Sequence, residues 1–286
     1  MNICSFLERD INGKELTPVE KIGNWYVKRE DKYQCCGLNG GKLRAAKVFI
    51  EKHADGLKGL VTAGASVSPQ TLIIAKIAES LGIDCRIHIP KTLRLGREVY
   101  EAGKIATLIG HKPGYNSVIC ARAKKDAEKH KYLYIPFGMD FIEAIKETAY
   151  QTYNVPEHIK TIVCPVGSAM SLIGIKMGLL NQERKIKVIG IVTGANPIRR
   201  IKKYAPSLKF TLFYSNYNYH QPINEKIGEL ELDEIYEAKA WNYVKNMSFD
   251  SPLFWIVGKR KYNGFIYLEK NFWVEKNNYW LGGEVK

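Results

Sequence analysis

The feature of this sequence that most restricts its fold is a regular alternation of short apolar runs with longer amphipathic segments, which begins near residue 59. The runs GLVTAG (59–64), DCRIHIP (84–90) and TIVCPV (161–166) have the length and apolar content of buried strands. The segments between successive runs predict helices, so the strands form parallel β-α-β units with helices on both sheet faces. The sequence therefore predicts an α/β protein with parallel-rich twisted sheets.

The predicted elements follow one another without a long linker or an internal repeat. Within the helix predicted over 69–82, Ser68 is placed as the N-cap, Pro69 at the first helical position and Gly82 at the end. After residue 200 the alternation weakens, and the tail from Phe265 predicts aromatic-rich strands. The predicted strands are 59–64, 84–90, 104–110, 131–136, 161–166 and 187–192, and the predicted helices are 69–82, 94–103, about 116–130, 141–154 and 171–180.

Composition excludes several classes of protein. The 286 residues are 45% apolar, which is enough for a large core and excludes disorder. No apolar run approaches the ~18 residues of a membrane span, and the N-terminus MNICSFLERD lacks the continuous apolar stretch of a signal peptide. The six cysteines form no C-x-x-C pair and no metal-ligand spacing. We therefore expect a cytoplasmic protein with reduced thiols, no metal and no membrane contact.

The charge of the chain leaves two interpretations open. Lys+Arg number 43 against 29 Asp+Glu, a formal net charge of +14. An excess of this size is typical of proteins that bind a polyanion, such as a nucleic acid or a phosphorylated ligand. The alternative is a lysine-rich composition, as an AT-biased genome encodes, whose charges are simply solvated.

Two segments near the N-terminus could carry chemistry. CGLNGGKLR (36–44) is a glycine-rich turn that ends at Lys42 as a helix begins, and a lysine in a desolvated site can lose its proton and form a Schiff base. TAGASVSPQ (62–70) is a strand end followed by a helix start. The free amides of that helix start, with the hydroxyls of Ser66 and Ser68, could hold a carboxylate or a phosphate.

Two further segments lie later in the chain. CPVGSAMSLIG (164–174) joins a strand to a helix, and its amides from Gly167 to Ser171 could bind a phosphate at the positive end of that helix. In LDEIYEAKAW (232–241), Glu237 could bind a protonated ring nitrogen and Tyr236 could donate or accept a proton. Each segment alone is also explained by an ordinary turn or an exposed helix start.

Taken in order, these segments resemble the fold-type II (tryptophan-synthase-β-like) pyridoxal-phosphate enzymes. LTPVEKI (16–22), WYVKRED (25–31) and NGGKLRAAK (39–47) are followed by the serine turn, the Gly-Ser turn and IYEAKA. This order is most similar to the branch of 1-aminocyclopropane-1-carboxylate deaminase and D-cysteine desulfhydrase, and the similarity runs from about residue 16 to 242. The resemblance implies a two-domain fold and pyridoxal 5'-phosphate as the cofactor.

The resemblance also implies a role for each matching residue. Lys42 matches the lysine that forms the internal aldimine with the cofactor and later moves the substrate proton. Tyr236 matches a catalytic tyrosine, and Glu237 the acid at the pyridine nitrogen. Ser68 matches a catalytic residue facing the cofactor ring. The remaining expected contacts are Gly167, Ser168, Ala169, Met170 and Ser171 at the cofactor phosphate, and Ser66, Ser68, Gln70 and Tyr219 at the substrate.

The resemblance further implies how the chain is divided and assembled. Residues 1–44 and 141–286 would form the larger cofactor-binding domain and residues 45–140 a smaller mobile domain, whose closure would exclude water. A homodimer is expected. Three positions depart from the family pattern: Gly41 replaces the asparagine before the lysine, Ala45 replaces a phosphate-contacting lysine, which leaves Arg44 or Lys47 to meet the phosphate charge, and Pro69 replaces an asparagine. The insert between residues 210 and 231 is also shorter than the family's, and the basic loop WIVGKRKYNG (255–264) replaces a glycine-rich strand end.

Three functions remain open at this level. The first is a pyridoxal-phosphate-dependent lyase or deaminase that acts on a small amino acid through Lys42. The second is an enzyme of the same class that acts on an amino-acid-modified base in DNA, for example a decarboxylase of phage thymidine hypermodification in a host cytoplasm. The basic runs RRIKKYAPSLK (199–209), GKRK (258–261) and ARAKKDAEKHK (121–131) would bind the DNA. The third is a non-catalytic relative that binds the cofactor.

Overall fold

The computed structural model describes residues 15–280, which divide into two compact units. Among the described residues, unit 1 comprises 15–34, 39–44 and 140–259, and unit 2 comprises 35–38, 45–139 and 260–280. The strands are β1 (Val19–Ile22), β2 (Trp25–Arg29), β3 (Gln34–Cys35), β4 (Leu38–Asn39), β5 (Gly59–Ala63), β6 (Asp84–Pro90), β7 (Arg94–Gly96), β8 (Thr107–His111), β9 (Leu133–Ile135), β10 (Thr161–Val166), β11 (Lys187–Val192), β12 (Thr211–Tyr214), β13 (Lys226–Ile227), β14 (Leu230–Glu231), β15 (Pro252–Ile256), β16 (Phe265–Tyr267) and β17 (Tyr279–Trp280). The helices are α1 (Gly41–Glu51), α2 (Gln70–Leu81), α3 (Arg97–Gly103), α4 (Asn116–His130), α5 (Ile142–Tyr150), α6 (Met170–Asn181), α7 (Ile198–Tyr204), α8 (Glu237–Val244) and α9 (Phe272–Glu275).

Unit 1 is built on a six-stranded sheet in the order β1-β2-β15-β10-β11-β12. All its neighbouring pairs are parallel except β1 with β2. Strands buried on both faces read as continuous apolar runs, and TIVCPV in β10 is buried at every position. On one face, Trp25, Trp241 and Phe254 pack edge to face around the core, with ring centroids 5.1 Å apart for the two tryptophans. This sheet supports the strand ends that carry the candidate site.

Glycines let α6 pack closely against α5 inside unit 1. A Cβ at Gly174 would lie 2.7 Å from the carbonyl oxygen of Ile145, and one at Gly178 would lie 2.5 Å from that of Ala149. Both distances are too short for any side chain, so only glycine allows this approach. The close packing fixes the axis of α6, and therefore the direction in which its N-terminus points.

Unit 2 contains a five-stranded sheet in the order β17-β8-β6-β5-β9. Its strands are parallel except for β17, which pairs antiparallel with β8. Helix α4 covers one face through Ile119, Ala123 and Ala127, which pack on Val61 and Ala63 of β5. Because parallel strands end at the same edge, the turn after β5 lies at the carboxyl edge of this sheet.

The structure corrects several predicted elements. The segment 94–103, predicted as one helix, starts as β7 and becomes helical only at Arg97, because Arg94–Gly96 pairs with β16. The tail is not only strands: α9 interrupts it, and residues after 280 lie outside the described part. The described part of this tail, up to residue 280, groups with unit 2. Ser68 makes no side-chain cap bond to α2, whose N-cap is Pro69, whereas Gly82 ends α2 in the left-handed conformation as predicted.

None of the helices within residues 15–280 has the length and apolarity needed to cross a membrane.

Candidate active site

A tight backbone approach positions Lys42 at the start of α1. Gly40 has a φ of +106°, and a Cβ there would lie 3.0 Å from the Cα of Gly258. Gly41 N–H donates to the carbonyl oxygen of Val257 at 3.0 Å. Glycine at 40 is therefore required both for the backbone conformation and for the approach of the segment after β15. This turn holds Lys42 against the end of the unit 1 sheet.

Lys42 lies beside a pair of tyrosines. Its Nζ is 5.2 Å from the ring centroid of Tyr236, within the range of a cation–π contact. The hydroxyl of Tyr236 lies 2.7 Å from the hydroxyl of Tyr219, so one phenol donates a hydrogen bond to the other. Three residues that the sequence singled out separately thus form one continuous group of an amine and two phenols.

The Glu237 carboxyl is buried next to this group, at the first position of α8. It is 1% exposed, and its Oε1 accepts hydrogen bonds from the amides of Val257 at 2.9 Å and Gly258 at 3.2 Å. Burial raises the pKa of the Glu237 carboxyl well above its usual range; the neighbouring Asp233 raises it further, and the donated amide bonds oppose the shift. The carboxyl therefore holds a proton more readily than a solvent-exposed glutamate does.

Asp233 orients the chain at Tyr236 and Glu237, and it is not among the site residues predicted from the sequence. Its Oδ1 accepts hydrogen bonds from the amides of Ile235 at 2.9 Å and Tyr236 at 3.0 Å, and its carbonyl accepts one from Ala238. An aspartate that bonds amides two and three residues ahead forms an Asx turn, which fixes the chain entering a helix. The signal in the sequence is an aspartate placed shortly before the Tyr-Glu pair of LDEIYEAKA.

The predicted phosphate loop joins β10 to α6. Ala169 is the N-cap of α6 with a φ of +68°, a left-handed conformation that costs a non-glycine residue about 1–2 kcal/mol. A Cβ at Gly167 would lie 2.7 Å from Cε1 of Tyr236, and one at Gly194 would lie 3.2 Å from the Cα of Gly167. The first amides of α6, at Met170 and Ser171, have no partner one turn earlier in the helix, which makes this end a favourable place for an anion.

The basic residues near Lys42 do not all point toward an anion site. Arg44 is 5% exposed and forms an ion pair with Glu30, with its Nε 3.9 Å from Glu147. Lys47 pairs with Glu51 at 3.2 Å on the exposed side of α1. Each charge is therefore matched by a carboxylate, so the charge of a bound phosphate falls mainly to the amides of the loop at 167–171.

The serine turn lies within unit 2, after β5. Ser66 and Ser68 are 7% and 3% exposed, and the turn is held by the Ser68 amide on the Ala65 carbonyl and the Gly96 amide on the Ser66 carbonyl. The structure does not support a substrate contact for Gln70, which is 0% exposed. Its amide donates to Thr62 Oγ1 and the Pro136 carbonyl and accepts from the Gly138 amide. These bonds engage both ends of the amide, so Gln70 stabilises the turn.

The chemistry of the unit 1 residues suits the cofactor that the resemblance implied. A primary amine at Lys42 can condense with an aldehyde, the amides at 167–171 can hold a phosphate, and the Glu237 carboxyl can face a ring nitrogen. Residues 15–280 contain no group of three or more His, Cys, Asp or Glu that could hold a metal ion. The donor set thus fits an organic cofactor with an aldehyde, a phosphate and a basic ring nitrogen.

Comparison with known proteins agrees with this donor set. A family described as "Pyridoxal-phosphate dependent enzyme" matches residues 12–238. The O-seryl-dTMP PLP-dependent decarboxylase of Salmonella phage ViI is 26% identical over 218 residues, 64% of this chain and 51% of that protein. A probable 1-aminocyclopropane-1-carboxylate deaminase of Schizosaccharomyces pombe is 26% identical over 199 residues, 60% and 57% of the two chains. The chain thus spans about half the length of the curated relatives it matches.

Solved structures show the same fold. An ACC deaminase homologue superposes with a TM-score of 0.72 at 18% identity, over 87% of this chain and 91% of that one. The processed form of threonine deaminase isoform 2 from Solanum lycopersicum gives a TM-score of 0.59 at 16% identity, over 85% and 83%. At these identities the likeness establishes the fold, and the family match over residues 12–238 establishes the membership. The chain belongs to the fold-type II pyridoxal-phosphate-dependent enzymes.

Proposed function

We propose that this protein is a pyridoxal-phosphate-dependent lyase or deaminase that acts on a small amino acid, with Lys42 as the residue that moves the substrate proton. The observation that carries the proposal is the group formed by Lys42, Tyr236 and Tyr219, in which the amine lies 5.2 Å from one phenol ring and the two hydroxyls are 2.7 Å apart. An amine with adjacent phenols can take a proton from carbon and pass it to a leaving group.

When bound, pyridoxal phosphate withdraws electrons from the α-carbon of an amino acid and weakens the bonds to that carbon. The Glu237 carboxyl, buried and supplied with two amide donors, would pair with the ring nitrogen and keep a proton there. The amides of Gly167 to Ser171 would hold the phosphate at the N-terminus of α6. These residues bind and orient; they do not touch the reacting carbon.

Lys42, Tyr236 and Tyr219 would act at the reacting carbon. Lys42 Nζ would accept the proton from the α-carbon. Tyr236, whose hydroxyl shares a hydrogen bond with Tyr219, would hold a proton at its oxygen for a leaving group. Ser66 and Ser68 remain our candidates for the substrate carboxylate, because their turn precedes the N-terminus of α2.

A second candidate function has specific support. One of the relatives matched over 64% of this chain is named for decarboxylation of O-seryl-dTMP. The exposed faces of α4 and α7 carry several lysines and arginines, among them Lys124, Lys125, Arg199 and Lys202. An amino acid attached to a nucleotide carries phosphate charge that either helix face could attract. Its binding would then weaken steeply with salt. The class of cofactor chemistry would be the same, with carbon dioxide released.

The first experiment tests the cofactor and the lysine together. Purified protein is mixed with pyridoxal phosphate, reduced with borohydride, digested and mapped by mass spectrometry. We expect the reduced adduct on Lys42, loss of that adduct in Lys42→Ala, and its retention in Lys47→Ala, a control on the exposed side of the same helix. An adduct that survives in Lys42→Ala contradicts the assignment of the lysine.

The second experiment tests the reaction. The loaded protein is incubated with a panel of small amino acids and with O-seryl-dTMP, and released ammonia and carbon dioxide are measured. Ammonia from a free amino acid supports the first function, and carbon dioxide from the nucleotide supports the second. A protein that binds the cofactor but releases neither product is the non-catalytic relative. A homodimer is proposed on family grounds and is tested by the mass in solution.

A further inference from the structure

Lys239 is a buried cation to which the proposed function assigns no role. Its side chain is 0% exposed, although it lies on the short helix α8. Its Nζ donates to the carbonyl oxygen of Asn218 at 2.7 Å and to that of Tyr219 at 2.9 Å. A buried ammonium is tolerated only where such partners compensate for its lost hydration. These bonds therefore tie α8 to the segment 215–225, which contains no helix or strand.

The two carbonyls belong to the peptide groups on either side of the Tyr219 Cα. Each peptide group is planar, so a fixed carbonyl oxygen fixes the orientation of its whole plane. Holding both planes sets the φ and ψ of Tyr219, and with them the direction of its Cα–Cβ bond. That side chain ends 2.7 Å from the hydroxyl of Tyr236.

Anchor and target lie on the same helix start. Tyr236 is the N-cap of α8 and accepts the Ala240 amide at 3.1 Å, one residue beyond Lys239. The helix fixes the spacing between Lys239 and Tyr236. The backbone at Tyr219, which Lys239 bonds, is therefore held at a set distance from Tyr236. The hydroxyl pair thus depends on an ammonium that lies outside it.

We propose that Lys239 is a positioning residue that holds the Tyr219 hydroxyl against Tyr236 and thereby sets the hydrogen bond of that pair. The expected effect of Lys239 on turnover rests on the proposed function, whereas its expected effect on the segment 215–225 does not. Lys245, also on the α8 side, provides a matched control. It donates to the Glu225 side chain at the far end of the segment and not to either carbonyl next to Tyr219.

The first test measures amide hydrogen exchange in the unliganded protein. In the segment 215–225, the amide of Gln221 bonds the carbonyl of Asn218, and the amide of Ile223 bonds the carbonyl of Glu234 outside the segment. We expect Lys239→Met to speed their exchange about ten-fold or more, since hydrogen bonds to a charged group are the stronger ones. Lys245→Met should leave the exchange at Gln221 within about two-fold. Equal exchange in Lys239→Met and wild type overturns the proposal.

The second test is a double-mutant cycle on turnover. We expect Lys239→Met to lower kcat roughly ten- to hundred-fold with little change in KM, as misplacement of a reacting group does. If Lys239 acts through Tyr219, then Tyr219→Phe and the double variant have the same kcat. Additive effects of the two substitutions overturn the proposal. If Lys239→Met does not fold, Lys239→Gln, whose neutral NH2 group keeps donor capacity on a shorter side chain, should give intermediate exchange and kcat; wild-type values there overturn the proposal.

The two tests separate this inference from the proposed function. Absence of turnover in the wild type, with the exchange difference present, refutes the function and leaves the positioning role. Turnover in the wild type, with no effect of Lys239→Met on kcat or exchange, refutes the positioning role and leaves the function.

Discussion

The buried Glu237 carboxyl makes a quantitative prediction about stability. It is 1% exposed, burial raises its pKa, and its Oε1 already accepts two amide hydrogen bonds from Val257 and Gly258. In the substitution Glu237→Gln, the amide oxygen can accept the same two bonds, while the NH2 group takes the place of the protonated hydroxyl. The variant therefore removes the titration and little else.

The size of the effect follows from proton linkage. Below pH 4.5, the usual pKa of glutamate, both the folded and the unfolded chain hold the proton and the group contributes no pH dependence. Above it, the unfolded chain loses the proton first, so the free energy of unfolding falls by about 1.4 kcal/mol per pH unit up to the folded pKa. The stability of Glu237→Gln relative to wild type should thus be greater at pH 6 than at pH 4.5, by at most about 2 kcal/mol.

The measurement is denaturant unfolding of the cofactor-free protein at a series of pH values. Subtracting wild type from the variant cancels every other titrating group. Glu231→Gln, at a side chain that is 61% exposed, is the control for the change from glutamate to glutamine itself. A flat difference for Glu237→Gln would show that the folded protein ionises this carboxyl like an exposed one, and would refute the inference that burial makes it hold its proton.

Three further predictions concern other parts of the chain. Ala169→Gly should raise the free energy of unfolding by about 0.5 to 1 kcal/mol because it relieves a left-handed residue, and unchanged or lower stability in denaturant would contradict that strain. Gly167→Ala should weaken cofactor binding about ten-fold in an absorbance titration, since its Cβ would lie 2.7 Å from the Tyr236 ring; equal affinity would mean that the ring gives way freely. The rings of His88 and His111 stack with centroids 4.9 Å apart, and their nearest nitrogens are 2.7 Å apart. Burial lowers the pKa of both, that of His111 to about 4. The unfolded chain therefore takes up protons first as pH falls below 6.5, and stability should drop by about 1 kcal/mol by pH 5, an effect that His111→Gln should reduce; the same pH slope in that variant would refute it.

Local pattern was sufficient for much of the fold. Predicted strands at 84–90, 161–166 and 187–192 coincide with β6, β10 and β11, because a strand buried on both faces leaves a continuous apolar run. The boundaries that failed depend on distant partners. Arg94–Gly96 is a strand because β16 pairs with it, and no local pattern in 94–103 records that partner.

The candidate site likewise contains residues that local sequence identifies and partners that come from distant parts of the chain. Lys42, Tyr236 and Glu237 lie in short segments whose residue types indicate their chemistry. The partners that hold Glu237 do not: the Val257 and Gly258 amides are backbone groups, which any residue could supply. Gln70 shows a different limit: its residue type in a turn suggested a ligand contact, but its bonds to Thr62 and Gly138 depend on strands and loops that the local pattern does not record.

The pairing of β2 with β15 joins strands from opposite ends of the chain, Trp25–Arg29 with Pro252–Ile256. On a ribosome, the central part of this sheet cannot close until β15 has been synthesised, more than 220 residues after β2, and the closure must overcome the entropy of a very long loop. The amides that hold Glu237 and the turn before Lys42 come directly after β15. Nascent chains should therefore assemble the candidate site only after β15 has emerged, and fragments cut before residue 252 should lack it altogether.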